Sequence, residues 1–400
     1  MRLNPFPRGG VRPERYLYGR SEQLDAIERL ARGVLDRQCS DVLCFLAPAG
    51  LGKTCLLKLA RRTFQQKGWL CGYSEASSDA TTSILDLLSD AGEALPQEGI
   101  GAKFRARIQE FNVSAGPVGV GMKLGESSGD PTAYSRLLRL LTSLGQFAVQ
   151  AGVGVALIID EAQALPRHDL ELLMRVISRI DDLPVAVLIG GLPKIPQKLI
   201  DGDDDARTMP GIWYHPLAPL TAEESRRTLA DPAAEAECTF QPDALESLIR
   251  FAEGNPLALQ MLGSAAWLQM DRSAAANETA NITDDHARAA IDSVTSQLVI
   301  SVYEPIWMGS TDAERAMLRA IARGGWSTEA TDQARFTWTS LAMGSSISGL
   351  SPDEIFEITN KFAGNGMIYP LESMHRLDIR FALPGFGDYL IRQPGGPAVP

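Results

Sequence analysis

The apolar run Val42-Leu43-Cys44-Phe45-Leu46 passes directly into Ala47-Pro48-Ala49-Gly50-Leu51-Gly52-Lys53-Thr54, and then into the helix-forming Cys55-Leu56-Leu57-Lys58-Leu59-Ala60. A buried strand, a tight glycine loop and a helix N-terminus in that order narrow the folds open to the chain. Such a loop turns backbone N–H groups inward, the helix N-terminus adds partial positive charge, the lysine adds a full one, and the threonine offers a hydroxyl to Mg2+. The residues Pro48, Ala49, Gly50, Leu51, Gly52, Lys53, Thr54 and Cys55 are therefore expected to hold the phosphates of a nucleotide, with Thr54 also a metal ligand. The usual first glycine of the G-x-x-x-x-G-K-[ST] pattern is Ala47 here, a mild change because the later glycines make the close approach. The competing reading is an ordinary strand-to-helix turn.

A second apolar run, Val155-Ala156-Leu157-Ile158-Ile159, ends in Asp160-Glu161. A buried strand that delivers two carboxylates at its C-terminal end supplies the other half of such a site: Asp160 to hold Mg2+ through water, Glu161 to polarise the attacking water. A strand followed by a solvated acidic turn is the alternative. Further strand candidates are Leu70 to Ser74, Val185 to Ile189 and Ile212 to His215, and they alternate with helical patterns from Tyr134 to Val149 and from Asp169 to Ile180. This alternation predicts an α/β domain with a parallel sheet and helices on both faces. It includes an additional strand between the lysine strand and the Asp-Glu strand.

Four hundred residues exceed what one core usually holds, so two or three domains are expected. No run approaches the ~18 apolar residues of a membrane span, and the N-terminus lacks a signal-peptide core, which predicts a cytoplasmic protein without membrane contact. Cys39, Cys44, Cys55, Cys71 and Cys238 form no C-x-x-C pair and lie in apolar segments, as reduced core residues do. The four histidines are far apart in sequence. A net charge of −11 argues against indiscriminate nucleic-acid binding, so any such contact requires a local basic patch.

Asn4-Pro5-Phe6, Tyr18-Gly19-Arg20, the glycine loop, Leu157 to Gln163, Gly191-Leu192-Pro193, Pro219-Leu220-Thr221 and Gly254-Asn255-Pro256-Leu257 follow one another through most of the chain. In this order they resemble bacterial AAA ATPases similar to the origin-recognition/replication-initiator family. The resemblance implies a P-loop NTPase core over residues 1–218, a helical lid over 219–300 and a winged-helix domain over 301–400, with ATP and Mg2+ as ligands. It places Tyr18, Gly19 and Arg20 near the adenine. Pro256 resembles the nucleotide-side proline of STAND-type signalling ATPases; a plain helix stop and restart at 253–256 is the other reading. The resemblance also implies that the helix from Ser21 is stapled over the base; Ser21 as a plain N-cap, with Glu22 and Asp25 in a favourable first turn, is the other reading, and the two are compatible. Asn112 to Val120 reads as a β-hairpin insertion.

Two departures bear on mechanism. Gly190-Gly191 stand where the family has a polar sensor residue, and no arginine follows Pro256 until Arg272. Each missing polar contact of this kind is worth ~3 kcal/mol of transition-state stabilisation, which predicts slow hydrolysis and a switch rather than a motor. Arg207 occupies the family's position for an arginine finger supplied to a neighbouring subunit in a homo-oligomer, against a solvated loop around Asp201 to Asp205.

The C-terminal third reads as helical from Thr221-Ala222-Glu223-Glu224, a capping box, through Gln241 to Phe251 and Leu257 to Met270, with a linker over Asp271 to Thr283. Ala313 to Arg323 and Pro352 to Phe362 read as the helices of the winged-helix module, with wing strands at Met367 to Tyr369 and Phe381 to Leu383. Trp326, Phe336 and Trp338 read as core rather than a base-stacking platform. The helix in the recognition position carries Asp353, Glu354 and Glu357 against Lys361, and residues 341–400 hold four basic against six acidic side chains. Phosphate contacts need cations, so contact with a partner protein stands beside DNA as the output.

Overall fold

The computed structural model describes residues 3–6, 17–76, 102–103, 106, 131–200, 211–273, 280–323, 328–329, 350–373 and 376–393. The β-hairpin reading at 112–120, Arg207 with its acidic neighbours, and Trp326, Phe336 and Trp338 lie outside the described residues. The described chain divides into two compact units: one drawn from residues 20–47 and 53–217, the other from 1–19, 48–52 and 218–400.

The first unit is a three-layer α/β structure. In chain order it runs α1 (Ser21–Arg37), β1 (Asp41–Leu46), α2 (Lys53–Gln66), β2 (Leu70–Glu75), α3 (Pro131–Ala151), β3 (Val155–Asp160), α4 (Arg167–Ile177), β4 (Val185–Gly191), α5 (Ile195–Ile200) and β5 (Ile212–Pro216). The strands form one parallel sheet in the order β2-β3-β4-β1-β5. The strand between β1 and β3 is β4, the additional strand expected from the sequence. β3 and β4 are buried along their whole lengths, because in a parallel sheet covered on both faces every side chain needs an apolar environment. On α4 the buried Leu170, Leu173, Met174 and Ile177 recur at the helical spacing and form the stripe that faces the sheet.

The helix starts at Ser21 as expected, whereas the N-cap reading of Ser21 is corrected: Arg20 occupies the N-cap of α1, without a side-chain cap bond, and Ser21 is already inside the helix. Arg20 is itself buried, and its carbonyl accepts from Leu24 N at 2.9 Å.

The second unit is mainly helical: α6 (Ala222–Glu235), β6 (Cys238–Phe240), α7 (Pro242–Ala252), α8 (Pro256–Ser273), β7 (Ala280–Ile282), α9 (Asp284–Leu298), a π turn at Val299–Tyr303, α10 (Glu304–Gly309), α11 (Asp312–Ala322), β8 (Thr328–Glu329), α12 (Pro352–Gly364), β9 (Ile368–Ser373), β10 (Arg376–Phe381) and α13 (Phe386–Arg392). Capping boxes start α6 at Thr221, α9 at Thr283, α11 at Thr311 and α12 at Ser351, each satisfying backbone donors that a helix start leaves unpaired. One continuous apolar core joins Phe6 to Trp267, Tyr303 and Phe386.

Two further sequence readings change. The expected linker at 271–283 is shorter at both ends, because α8 continues to Ser273 and β7 pairs in parallel with β6 through Cys238↔Ala280, which buries Ile282. The second C-terminal strand ends rather than begins at Phe381, since the alternating Arg376-Leu377-Asp378-Ile379-Arg380-Phe381 pairs antiparallel with β9, and β8 adds a third strand.

Candidate functional site

In the sheet unit, β3 and α2 converge on one cluster of charges. Lys53 opens α2, is buried, and donates from Nζ to the Ala47 carbonyl oxygen at 2.8 Å. Burial lowers its pKa from the ordinary lysine value, and the nearby carboxylates of Glu161 and then Asp160 oppose that shift. One ammonium beside two carboxylates sums to a formal charge of −1, so the cluster suits phosphate that arrives with a divalent cation rather than a bare anion.

Asp160 has no exposed surface. Its Oδ1 accepts from the Glu161 backbone N–H at 2.9 Å, and its Oδ2 accepts from the Tyr73 hydroxyl on β2 at 3.1 Å. Both bonds orient the carboxylate. Burial raises the Tyr73 hydroxyl pKa, and the Asp160 charge raises it further, so Tyr73 remains a donor. Tyr73 has no counterpart in the sequence reading. Its only signal was a hydroxyl-bearing residue on a strand that pairs with the Asp160 strand.

The strand ends where it does because Glu161 takes a left-handed conformation, with φ of 53°. A non-glycine residue pays ~1 kcal/mol for that geometry, a cost that recurs at functional sites. The turn leads into a short 3-10 segment, Ala162–Ala164, and the Gln163 side chain donates to Glu161 Oε2.

At the end of β4, Gly190 and Gly191 have physical reasons to be glycine. A Cβ at 190 would stand 2.6 Å from Leu57 Cδ1 and 3.0 Å from Asp160 Oδ1; one at 191 would stand 2.0 Å from Ile195 Cδ1 and 3.0 Å from Gln163 Oε1. The space beside the two glycines is filled first by Leu57 and Ile195, and next by the Asp160 carboxylate and the Gln163 amide.

In the helical unit, Pro48–Gly52 pack with the start of α8. Gly50 and Gly52 have φ of 82° and 93°, a conformation that favours glycine. The Gly50 carbonyl accepts from Leu257 N at 3.2 Å, and a Cβ at Gly50 would meet Asn255 Oδ1 at 2.8 Å. Asn255 caps α8, its Oδ1 accepting from Ala258 N at 3.1 Å, and its Nδ2 reaches toward the Ala49 carbonyl at 3.5 Å. The structure thus brings the glycine loop and Pro256, the first residue of α8, together. In the sequence, Asn255 stands within the Gly254-Asn255-Pro256 segment, where residue type alone gives it no role.

Tyr18 and Gly19 lie against α6 in the same unit. The Tyr18 hydroxyl is bonded to Asp231, and the Arg227 guanidinium stands 4.3 Å from the ring centroid. Gly19 has φ of 68°, and the Glu224 carboxylate occupies the space a Cβ would need, 2.7 Å away. Thr54 and Cys55 follow Lys53 in the first turn of α2 and are partly exposed.

Farther along the helical unit, Asp353, Glu354 and Glu357 of α12 are exposed, whereas Lys361 is ion-paired with the buried Glu314 of α11. No helix among the described residues is long and apolar enough to cross a membrane.

Within the sheet unit, the buried Lys53 and the oriented Asp160 carboxylate fit a magnesium-bound phosphate. Residues 16–189 match the model of the AAA ATPase domain family. Among solved structures, the chain is similar to the Orc2 protein of Aeropyrum pernix in its ADPNP–ADP complexes, with 16% identity, a TM-score of 0.57, and coverage of 97% of this chain and 95% of that one. It is also similar to the Walker-type ATPase PABY2304 of Pyrococcus abyssi, with 14% identity, a TM-score of 0.59, and coverage of 98% and 100%. The sequence has no match among curated proteins. At such identities the likeness is one of fold: a P-loop NTPase-type parallel sheet with helices, followed by a helical C-terminal region.

Proposed function

We propose, for a chain that carries an AAA ATPase domain over residues 16–189, that it is a slow ATP-hydrolysing switch whose nucleotide-bound form assembles with further copies or with a partner protein. The observation that carries this reading is the buried Lys53 ammonium within electrostatic reach of both Glu161 and Asp160. Lys53 neutralises phosphate charge, the Thr54 hydroxyl and the Asp160 carboxylate hold Mg2+, and Glu161 takes the proton of the attacking water. Mg2+, when bound, neutralises charge on the phosphate oxygens. Ala49–Gly52 and Cys55 offer backbone donors to the phosphates and Pro48 shapes the loop that presents them, Tyr18, Gly19 and Arg20 lie beside the base, and Pro256 contacts the nucleotide from the helix it opens.

Slow turnover is supported by the glycine pair at 190–191, which gives the γ-phosphate no polar side chain from β4. Arg207 of a neighbouring copy recovers part of that stabilisation upon assembly. We read residues 219–300 as a lid and 301–400 as a winged helix. Its output is protein contact rather than DNA contact, supported by the acidic exposed side of α12 and by Lys361 being engaged with Glu314.

The test is titration with Mg-ATP by calorimetry, single-turnover hydrolysis beside Glu161→Gln, and mass measurement with and without nucleotide. Heat on titration, turnover reduced to a small residual rate in Glu161→Gln and a nucleotide-dependent mass increase are expected. No heat overturns nucleotide binding. Heat with identical traces for the two proteins favours a second reading, a scaffold that holds nucleotide without turnover, which the missing polar sensor also supports. A salt-dependent shift of duplex DNA with ATP overturns the protein-contact output.

A further inference from the structure

The geometry points to Gln163 as a positioning residue for hydrolysis: its side-chain amide sets the Glu161 carboxylate from the end of the sheet where β4 has no polar side chain of its own. This inference rests on the reading of Glu161 as the group that takes the proton from water.

Gln163 is fixed at both its main chain and its side chain. Its carbonyl accepts from Lys198 Nζ at 3.0 Å, and the same ammonium is bonded to the Leu165 carbonyl, so one cation clamps the turn that follows β3. Its amide oxygen accepts from the Leu192 backbone N–H at 3.1 Å, immediately beyond β4. With the oxygen committed there, the amide has one orientation, and its N–H group faces Glu161 Oε2, to which it donates. The donor is therefore presented by three anchoring contacts rather than by a free side chain.

Gly191 makes the arrangement sterically compatible. A Cβ at 191 would sit 2.0 Å from Ile195 Cδ1 and 3.0 Å from Gln163 Oε1, so the glycine leaves room for Ile195 and keeps a tight contact off the Gln163 amide oxygen. Glu161 held in this way is near enough to Lys53 to be the larger of the two carboxylate influences upon it.

A residue acting through another reveals itself by coupling. Gln163→Ala removes the donor, and Gln163→Glu keeps an acceptor for Leu192 N while replacing the donor by a carboxylate. Both are expected to lower single-turnover hydrolysis about tenfold or more, a fraction of the usual contribution of a positioned base. The dissociation constant for Mg-ATP, measured by calorimetry, is expected to stay within about twofold. In the Glu161→Gln background neither substitution is expected to slow the residual rate further. If either variant fails to fold, the other carries the measurement, and Gln163→Met serves as a third that removes the donor with its volume retained.

An equal slowing in both backgrounds, or unchanged turnover in an otherwise active protein, overturns the inference and leaves the proposed ATPase standing. Wild-type protein that binds Mg-ATP but turns none over overturns both.

Discussion

The side-chain amide of Asn255 donates to the main-chain oxygen of Ala382 at 3.1 Å, across 127 residues of sequence. The same side chain caps α8 through Ala258 N and fills the space beside Gly50. Both Asn255 and Ala382 are buried, so neither group can exchange its partner for bulk water. Asn255→Ala leaves the Ala382 carbonyl unmatched and removes a helix cap, and is expected to destabilise the chain by about 2 kcal/mol or more. Asn255→Asp keeps the acceptor for Ala258 N but sets a buried carboxylate oxygen against the Ala382 carbonyl oxygen, so it is expected to be destabilising as well. Urea denaturation of the two variants beside the wild type checks that both midpoints fall below that of the wild type.

Tyr73 offers a second test, directed at the buried carboxylate. Among the described residues, its hydroxyl and the Glu161 backbone N–H are the groups that bond to the Asp160 carboxylate. A hydrogen bond to a charged group is worth ~1.5–3 kcal/mol. Tyr73→Phe is expected to cost stability of that order and to weaken Mg-ATP binding, since Asp160 then has one orienting bond instead of two. Denaturation midpoints and a calorimetric titration on the same preparation measure both effects.

The buried thiols make a prediction about alkaline pH. Burial pushes Cys44 up to about 12; it does the same to Cys71, against a small opposing effect of Arg61. A group whose folded pKa lies above its unfolded value contributes stability that is fully present below the unfolded pKa and lost as pH rises through the folded one. For these thiols the contribution is present below about 9 and falls across the window from 9 to 12, by ~1.4 kcal/mol per pH unit for each. Lys53 and Lys198, whose pKa values are lowered, act in the opposite sense as pH approaches 10.5. The double variant Cys44→Ala/Cys71→Ala isolates the thiols. Its stability relative to wild type, measured by denaturant titration at pH 8 and pH 10.5, is expected to improve with pH. Thiol-labelling of the native protein at pH 8 is expected to leave both cysteines unmodified.

Most of the sheet was legible because its signal is local: five apolar runs bounded by glycine, acidic or proline residues, two of them ending in motifs whose chemistry fixes where a strand must stop. Lys53, Asp160 and Glu161 could be named on that ground alone. Gln163 and Tyr73 could not be assigned, because each acts through a bond whose partner is set by strand order and register: Tyr73 reaches Asp160 across β2 and β3, and Gln163 reaches Leu192 beyond β4. Ser21 looked like a cap by residue type, yet backbone geometry puts Arg20 there. The short β6–β7 pair escaped notice because three-residue strands give too little alternation to recognise, while their pairing partners lie about forty residues apart.

Gly190 gives the sharpest steric test of the site. A methyl group there would stand 2.6 Å from Leu57 Cδ1 and 3.0 Å from Asp160 Oδ1, while Leu57 and Asp160 are themselves fully buried. Leu57 lies on α2, one turn beyond Lys53, so yielding on that side disturbs the helix that presents the lysine. Yielding on the other side rotates the carboxylate off the Glu161 backbone N–H. Overpacking of a close-packed core costs ~1–3 kcal/mol. Gly190→Ala is expected to lose stability in that range, measured by thermal or urea denaturation, and to bind Mg-ATP more weakly at a temperature where it is fully folded. Gly211→Ala, at a position where an added Cβ meets nothing within 4 Å, is the control and is expected to match the wild type in both measurements. Full stability with weakened nucleotide binding would place the whole displacement on Asp160. Lowered stability with normal binding would place it on Leu57.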